Sequence, residues 1–374
     1  QAKSERKAED DALLRYAQSK TDALNRKYGA RFLLLVRRRT FCAPDKIFMG
    51  WERKRGALCD FNGLILRGET APFRIILGRS FAAKYVVALD SDTLLNCADD
   101  LTALMEHPYN RAVNVASMNV RTDPASSEKT QFAGLFSGAT GFDSYSCACE
   151  SNSELFGRGN YTGKGIYRVK EFDEAVGKAF PDGRILSHDF IEGAYAGARN
   201  CDEIALDSTP TSFSLWLRRR LRWLRGDWQL LPWLCPIVSS KNGKLRKNSI
   251  SAIDKWHIFM GLIFTLSEAC SLALLIFAAI TGGFEALLLA FLPSIVRLAL
   301  CLPSIVCNSE SFIKSLACEA FFVCVLPVAA LFGAAAIAVT LVRLVIKRGL
   351  LEWNVFAHTR GGDGAVFFVS FAFG

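Results

Sequence analysis

The chain has 374 residues, 51% of them hydrophobic, with 45 Lys and Arg against 36 Asp and Glu, for a net charge of +9. That length allows one to three domains. Twelve scattered cysteines without CxxC or zinc spacing argue against a disulfide framework or a structural metal site and read as reduced, mostly buried thiols. The only close pair is Cys147 and Cys149.

The apolar excess is uneven. Residues 1–255 hold most of the charge, and residues 258–345 are almost entirely apolar. Basic clusters occur at Arg37-Arg38-Arg39, Arg53-Lys54-Arg55, Arg218-Arg219-Arg220 and between Lys241 and Lys247. They suit phosphate groups or an anionic membrane surface. No nucleic-acid motif accompanies them, and the polar residues 1–28 do not resemble a signal peptide.

Asp11 to Tyr28 has helical spacing, with Leu13, Leu14, Ala17, Ala23 and Leu24 in one stripe. Arg31 to Val36 reads as a buried strand, and Glu52 to Arg67 as a helix ended by Gly68. Tyr85 to Leu89 is a strand, Asp99 to Glu106 a helix, and Val113 to Val120 another strand. Glu171 to Ala179 and His188 to Arg199 read as helices. Strands alternating with helices predict an α/β layer with a largely parallel sheet, whose ligands sit at the carboxyl ends of strands.

Ile258 to Ile280 is long enough to cross a bilayer. Ala286 to Val306, interrupted by Pro293 and Pro303, pairs with it across Gly282-Gly283 as a hairpin at about 258–306. Glu268 and Arg297 lie at similar depth on the two arms, and the cost of an unpaired charge there predicts that they face each other. The third apolar segment, about 313–346, contains Glu319 and Pro327 and is followed by Arg343, Lys347 and Arg348. Basic flanks on one side favour a bent, membrane-associated segment over a third crossing. The last residues, Ala365 to Gly374, read as the start of another apolar element.

The stretch Lys84-Tyr-Val-Val-Ala-Leu-Asp-Ser-Asp-Thr-Leu-Leu95 ends an apolar run in two carboxylates one residue apart. On a strand end, Asp90 and Asp92 point to one side and offer hard oxygens to Mg²⁺ or Mn²⁺ on a diphosphate. A simple turn is the alternative. A phosphatase of the apolar-run DxDxT kind would need a downstream strand ending in Asp-Asp, which is not found. In Phe156-Gly-Arg-Gly-Asn-Tyr-Thr-Gly-Lys-Gly-Ile-Tyr167 the glycines let backbone approach a sugar or phosphate, although the spacing is not a P-loop. His188-Asp189 opens a helix, with Asp189 either a cap or a general base for an acceptor hydroxyl. In Ser214 to Leu234, Trp216, Leu217, Leu221, Trp223, Leu224, Trp228 and Leu231 share one face, and Arg218, Arg219, Arg222 and Arg225 the other. Such a helix suits a membrane interface. Its arginines bind lipid headgroups, or Arg222 and Arg225 face a diphosphate leaving group.

The ordered set of DxD, TGKG loop, HD and R-x-x-R-W beside a transmembrane hairpin resembles processive family-2-like glycosyltransferases, with Arg219 where those enzymes carry Gln. The strings FMGWERKRGAL, LFGRGNYTGKGIY, ILSHDFIEG, RWLRGDWQLLPW and LLEW resemble the glycosyltransferase region of cyclic β-1,2-glucan synthases over roughly residues 30–358. The resemblance implies a GT-A-like (Rossmann-like) domain over 1–250 with its N-terminal strands missing, and a transmembrane helical region over 251–374. It implies an inverting transfer of glucose from UDP-glucose to a growing β-1,2-glucan, with Mg²⁺ or Mn²⁺ on Asp90 and Asp92 and Asp189 as base. Lys54 and Arg222, with Arg225, contact the nucleotide diphosphate. Thr162, Gly163, Lys164 and Trp223 contact the acceptor. It also implies a multi-pass protein of a bacterial inner membrane, its catalytic domain cytoplasmic, continuing into upstream membrane segments and a downstream phosphorylase-like region. Membrane lipid is the remaining expected partner. The family's Gln-Pro pair is absent from Val115–Pro124. Another membrane β-glycan synthase, or a catalytically incomplete membrane-anchored fragment, is the alternative.

Overall fold

The computed structural model describes residues 2–78, 82–95, 101–107, 113–136, 155–186, 189–241, 243–307 and 309–351. His188, the Cys147–Cys149 pair and the C-terminal apolar stretch lie outside them.

A helix over Asp10–Tyr28 opens the chain, with Asp10 and Asp11 in its first turn and Arg26 and Lys27 in its last, each complementing the helix dipole. Strands β1 (Leu34–Arg37), β2 (Arg39–Cys42) and β3 (Ile47–Gly50) follow. The helix Arg53–Arg67 then stops at Gly68, whose left-handed conformation returns its N–H to Gly63 and Leu64 carbonyls. Strand β4 (Phe73–Leu77) runs antiparallel to β1, and β2 and β3 form a hairpin.

Strands β5 (Tyr85–Ala88), β6 (Leu94–Leu95), β7 (Val115–Thr122), β8 (Gly165–Arg168) and β9 (Ala198–Asp207) build a five-stranded sheet in the order β5-β8-β7-β9-β6. Only β7 and β9 are parallel among the described pairs of this sheet, and the other three pairings are antiparallel. The expected largely parallel sheet is therefore corrected to a mixed one. An apolar run reports that a strand is buried, and nothing in its composition reports direction. Arg199, expected to end a helix, belongs to β9; the preceding helix is Asp189–Ala196.

The arginine-rich helix spans Phe213–Gln229 and tightens into a 3₁₀ turn at Leu231–Leu234. The hairpin β10 (Ile237–Ser239) and β11 (Leu245–Lys247) lies beyond it. Three long helices close the described chain: Ala252–Thr281, Phe284–Cys307 and Ser309–Ile346. The first starts at a capping box of Ser251 and Asp254 and ends at left-handed Gly282. The third apolar segment, predicted as bent and membrane-associated, is a single helix that continues through Pro327. Ala252–Thr281 and Phe312–Ile346 are each long and apolar enough to cross a membrane; 30 residues reach about 45 Å at helical rise, against a hydrocarbon layer of about 30 Å.

One apolar core joins the sheet to these helices. Tyr161, Tyr167, Phe172, Phe180, Ile191 and Trp233 pack with Ile258 and Leu262 of the first long helix. A second cluster sets Leu217, Leu221 and Leu224 of the arginine-rich helix against Ala336 and Ile337 of the last helix. The apolar face read from the sequence, Trp223 excepted, therefore packs against protein. The predicted Glu268–Arg297 pair does not form. Arg220 Nη2 lies 2.5 Å from Glu268 Oε1, and Arg297 donates twice to Glu319, at 2.9 and 2.7 Å. Both Glu268 and Arg297 still line one cavity, with Ser271, Ser294 and Phe322. Each had a nearer opposite charge on an element that the two-helix argument did not include.

Candidate active site

Strand β5 delivers Asp90 to the end of the sheet, and a turn closed by Thr93 N–H on the Asp90 carbonyl follows at 3.2 Å. Two lysines hold the Asp90 carboxylate. Lys54 Nζ, from the first turn of the helix Arg53–Arg67, lies 2.6 Å from Oδ1. Lys164 Nζ, from the glycine loop before β8, lies 3.1 Å from Oδ2. Burial alone raises the Asp90 carboxyl, but these two cations outweigh it and hold it below the ordinary carboxylate range.

Lys164 is nearly fully buried and also bonds Asp207 Oδ2 at 3.0 Å. Lys54 donates a second bond to the Gly163 carbonyl at 2.7 Å. Gly163 has φ +79°, and a Cβ there would fall 2.7 Å from Asp189 Oδ1 and 3.0 Å from Lys54 Nζ. A glycine at this position is thus what lets Asp189, Lys54 and the loop backbone meet. Lys54, Asp90, Gly163, Lys164, Asp189 and Asp207 form one connected group drawn from five separate segments.

Asp92 is exposed on the turn and makes no ion pair among the described residues. The Thr162 hydroxyl and the Tyr161 phenol are buried with no hydrogen-bond partner among the described residues. Trp223 carries the Arg219 guanidinium 4.3 Å above its ring. Arg219 also donates to the Ser208 carbonyl at 3.1 Å. Arg222 and Arg225 come together with Arg53. Burial, followed by the positive fields of Arg225 and Arg222, pulls the Arg53 guanidinium down to about 10.

Sequence reasoning missed Asp207, Arg53 and Arg37. A signal for Asp207 existed, since Ala88-Leu89-Asp90-Ser91 and Ala205-Leu206-Asp207-Ser208 repeat the same four residues at two strand ends. Both aspartates reach Lys164.

The described residues contain no group of three or more His, Cys, Asp and Glu side chains poised to hold a metal. Magnesium and manganese commonly take one or two carboxylates and fill the remaining positions with substrate phosphates and water. Asp92, exposed after a strand end and without an ion pair among the described residues, fits that pattern. Both Asp90 oxygens are engaged by ammonium groups.

No family model matches the chain. The mixed α/β unit carries lysine-bridged carboxylates at one sheet end and continues into long apolar helices. The chain is 33% identical over 296 residues to the cyclic beta-(1,2)-glucan synthase NdvB of Rhizobium meliloti (strain 1021), covering 73% of this chain and 10% of that protein, which supports a glycosyltransferase-type class. The chain is thus related to a region of the cyclic β-1,2-glucan synthases, as its motifs suggest, and spans about a tenth of the length of the relative.

Proposed function

We propose that the chain is the inverting glucosyltransferase segment of a cyclic β-1,2-glucan synthase, with a GT-A-like donor site and UDP-glucose as donor. The observation that carries this reading is that the Lys54–Asp90–Lys164 ion group and the Asp189 carboxylate both lie close against Gly163. Cations of this kind suit a diphosphate, and a neighbouring carboxylate suits proton acceptance.

In the proposed reaction the acceptor 2-hydroxyl oxygen attacks C1 of glucose from the face opposite UDP. Asp189 takes the hydroxyl proton, the C1–O bond to the diphosphate breaks, and the α-linked donor becomes a β-linked product. Lys54 and the Arg53, Arg222 and Arg225 group offset the charge that develops on UDP, in a part-buried setting where each contact counts for more than in water. Asp92, with diphosphate oxygens, would hold Mg²⁺ or Mn²⁺, which supplies further neutralisation of the leaving group. Asp90 orients the two lysines. Thr162 supplies its hydroxyl to the acceptor, together with the Gly163–Lys164 backbone, and Trp223 offers the sugar its indole ring. The long apolar helices fix this domain to the cytoplasmic face of a bacterial inner membrane as part of a multi-pass chain.

The test is incorporation of [¹⁴C]glucose from UDP-glucose by membranes carrying the full-length protein with Mg²⁺ or Mn²⁺, with linkage analysis of the product. β-1,2-linked glucan that disappears in Asp92→Asn and Asp189→Asn supports the reading. Unimpaired synthesis by both variants sinks the site, and a different linkage moves the protein to another β-glycan synthase.

A further inference from the structure

Glu52 and Arg53 stand side by side in the left-handed region, at φ 49° and 52°. Neither is glycine, and L side chains rarely adopt this conformation unless the surroundings impose it. Three features impose it here. The Arg37 guanidinium on β1 donates to the Trp51 carbonyl at 2.5 Å and to the Arg53 carbonyl at 2.8 Å. Its Nε is anchored 2.6 Å from Asp60, on the helix that the turn begins. Glu52 is buried, pairs with the fully buried Arg55 at 2.5 Å, and accepts the Gly183 N–H. Finally, the turn closes so tightly that a Cβ on Gly56 would fall 1.8 Å from the Trp51 carbonyl oxygen.

The residue after this turn is Lys54, whose ammonium lands between Asp90 and the Gly163 carbonyl. A helix entered through ordinary extended backbone would send that side chain elsewhere. We infer that Arg37 is a positioning residue of the site: its fork across the Trp51 and Arg53 carbonyls holds the left-handed turn that aims Lys54 at Asp90. The inference rests on the reading of Lys54 and Asp90 as part of the donor site. Arg37 is suited to it because a planar guanidinium serves two carbonyls and a carboxylate at once, which a lysine ammonium on a flexible stem does not reproduce.

The experiment compares R37K, K54M and the double variant in the full-length membrane protein, with two readouts. The first is the acylation rate of Lys54 by an amine-reactive ester, read by mass spectrometry, with surface Lys84 as the folding control. Lys54 is expected to label several-fold faster in R37K while Lys84 is unchanged. The second is kinetic: R37K is expected to raise the KM for UDP-glucose more than it lowers kcat, and to add nothing to K54M. If R37K does not fold, Asp60→Asn loosens the same guanidinium from its anchor and should give the same labelling pattern in weaker form. Unchanged Lys54 labelling in the folded variant, or an R37K loss fully additive with K54M, overturns the inference. An inactive parent protein would instead defeat the donor-site reading, and the labelling would still report on the turn.

Discussion

The charged end of the sheet and the apolar helices both bury carboxylates against cations, and they do so differently. Among the helices the partners are matched one to one: Arg297 grips nearly buried Glu319 between two of the long helices with two bonds, and Arg220 of the arginine-rich helix takes Glu268. At the sheet end the partners are shared. Lys164 serves Asp90 and Asp207, Asp90 serves Lys54 and Lys164, and Asp90 keeps 38% of its side chain exposed. A matched pair has no spare capacity and acts as a structural tie. A shared, partly open group can hand one of its cations to an arriving anion without leaving a charge stranded.

Five substitutions would break or sharpen that contrast. The largest expected effect is Asp189→Asn, which removes the proposed proton acceptor and should lower kcat by about 10²–10⁴-fold with the donor KM little changed, measured by initial rates of glucose incorporation. Next is Glu319→Ala, which removes the carboxylate that Arg297 grips and, with 37% of the Arg297 side chain exposed, should cost about 1–3 kcal/mol of stability; thermal melting of the detergent-solubilised protein reads it. Replacing both partners by apolar residues should recover most of that loss. If the double variant melts no higher than the single one, the pair is not the isolated tie described above.

Gly163→Ala should follow, because its methyl group would press on Asp189 and Lys54 at a strained φ. A displacement of about 1 Å in a reacting group can cost about 10²-fold, so activity should fall far more than the melting temperature. A change in melting without a change in rate would argue that the loop is only structural.

The fourth test is pH. The Asp90 carboxyl is held low by Lys54 and Lys164 against its burial. A depressed folded-state value means the ion group contributes fully above the unfolded carboxyl value of about 3.9 and is lost as pH falls through the lower folded value. Lys54→Met removes one of the two cations, so the acid limb of UDP-glucose binding should move to higher pH. An unmoved limb would show that Lys54 does not set the Asp90 charge. The smallest effect belongs to Arg219→Lys, which weakens the contact with Trp223 by about 0.5–1 kcal/mol and should alter acceptor affinity only slightly.

Local grammar in the sequence was a good guide to elements. The helix over Arg53–Arg67 was visible from its pattern and from Gly68, and Tyr85–Ala88 from its apolar run. Direction and partnership were not. The antiparallel contacts of β8 with β5 and β7 join segments far apart in the chain, and no periodicity encodes which edge a strand will find. The hairpin at Arg39–Gly50 was hidden behind a basic cluster that was read only as charge. The Glu268–Arg297 expectation failed because two helices were weighed without the third helix and the arginine-rich helix that supply nearer charges.

The sequence by itself determined the kinds of side chain and their order: an apolar strand ending in Asp90-Ser91-Asp92, a glycine loop with Lys164, a helix opening at Asp189, and an arginine–tryptophan helix before the apolar region. Such features are local, set by backbone preference and by hydrophobic spacing over a few residues. Tertiary structure alone decided that Lys54 and Lys164 share Asp90, that Asp207 joins them, and that Arg37 holds the turn before Lys54. Those contacts join residues far apart along the chain, and Coulomb attraction and hydrogen-bond geometry act on distance in space, which spacing in sequence does not fix.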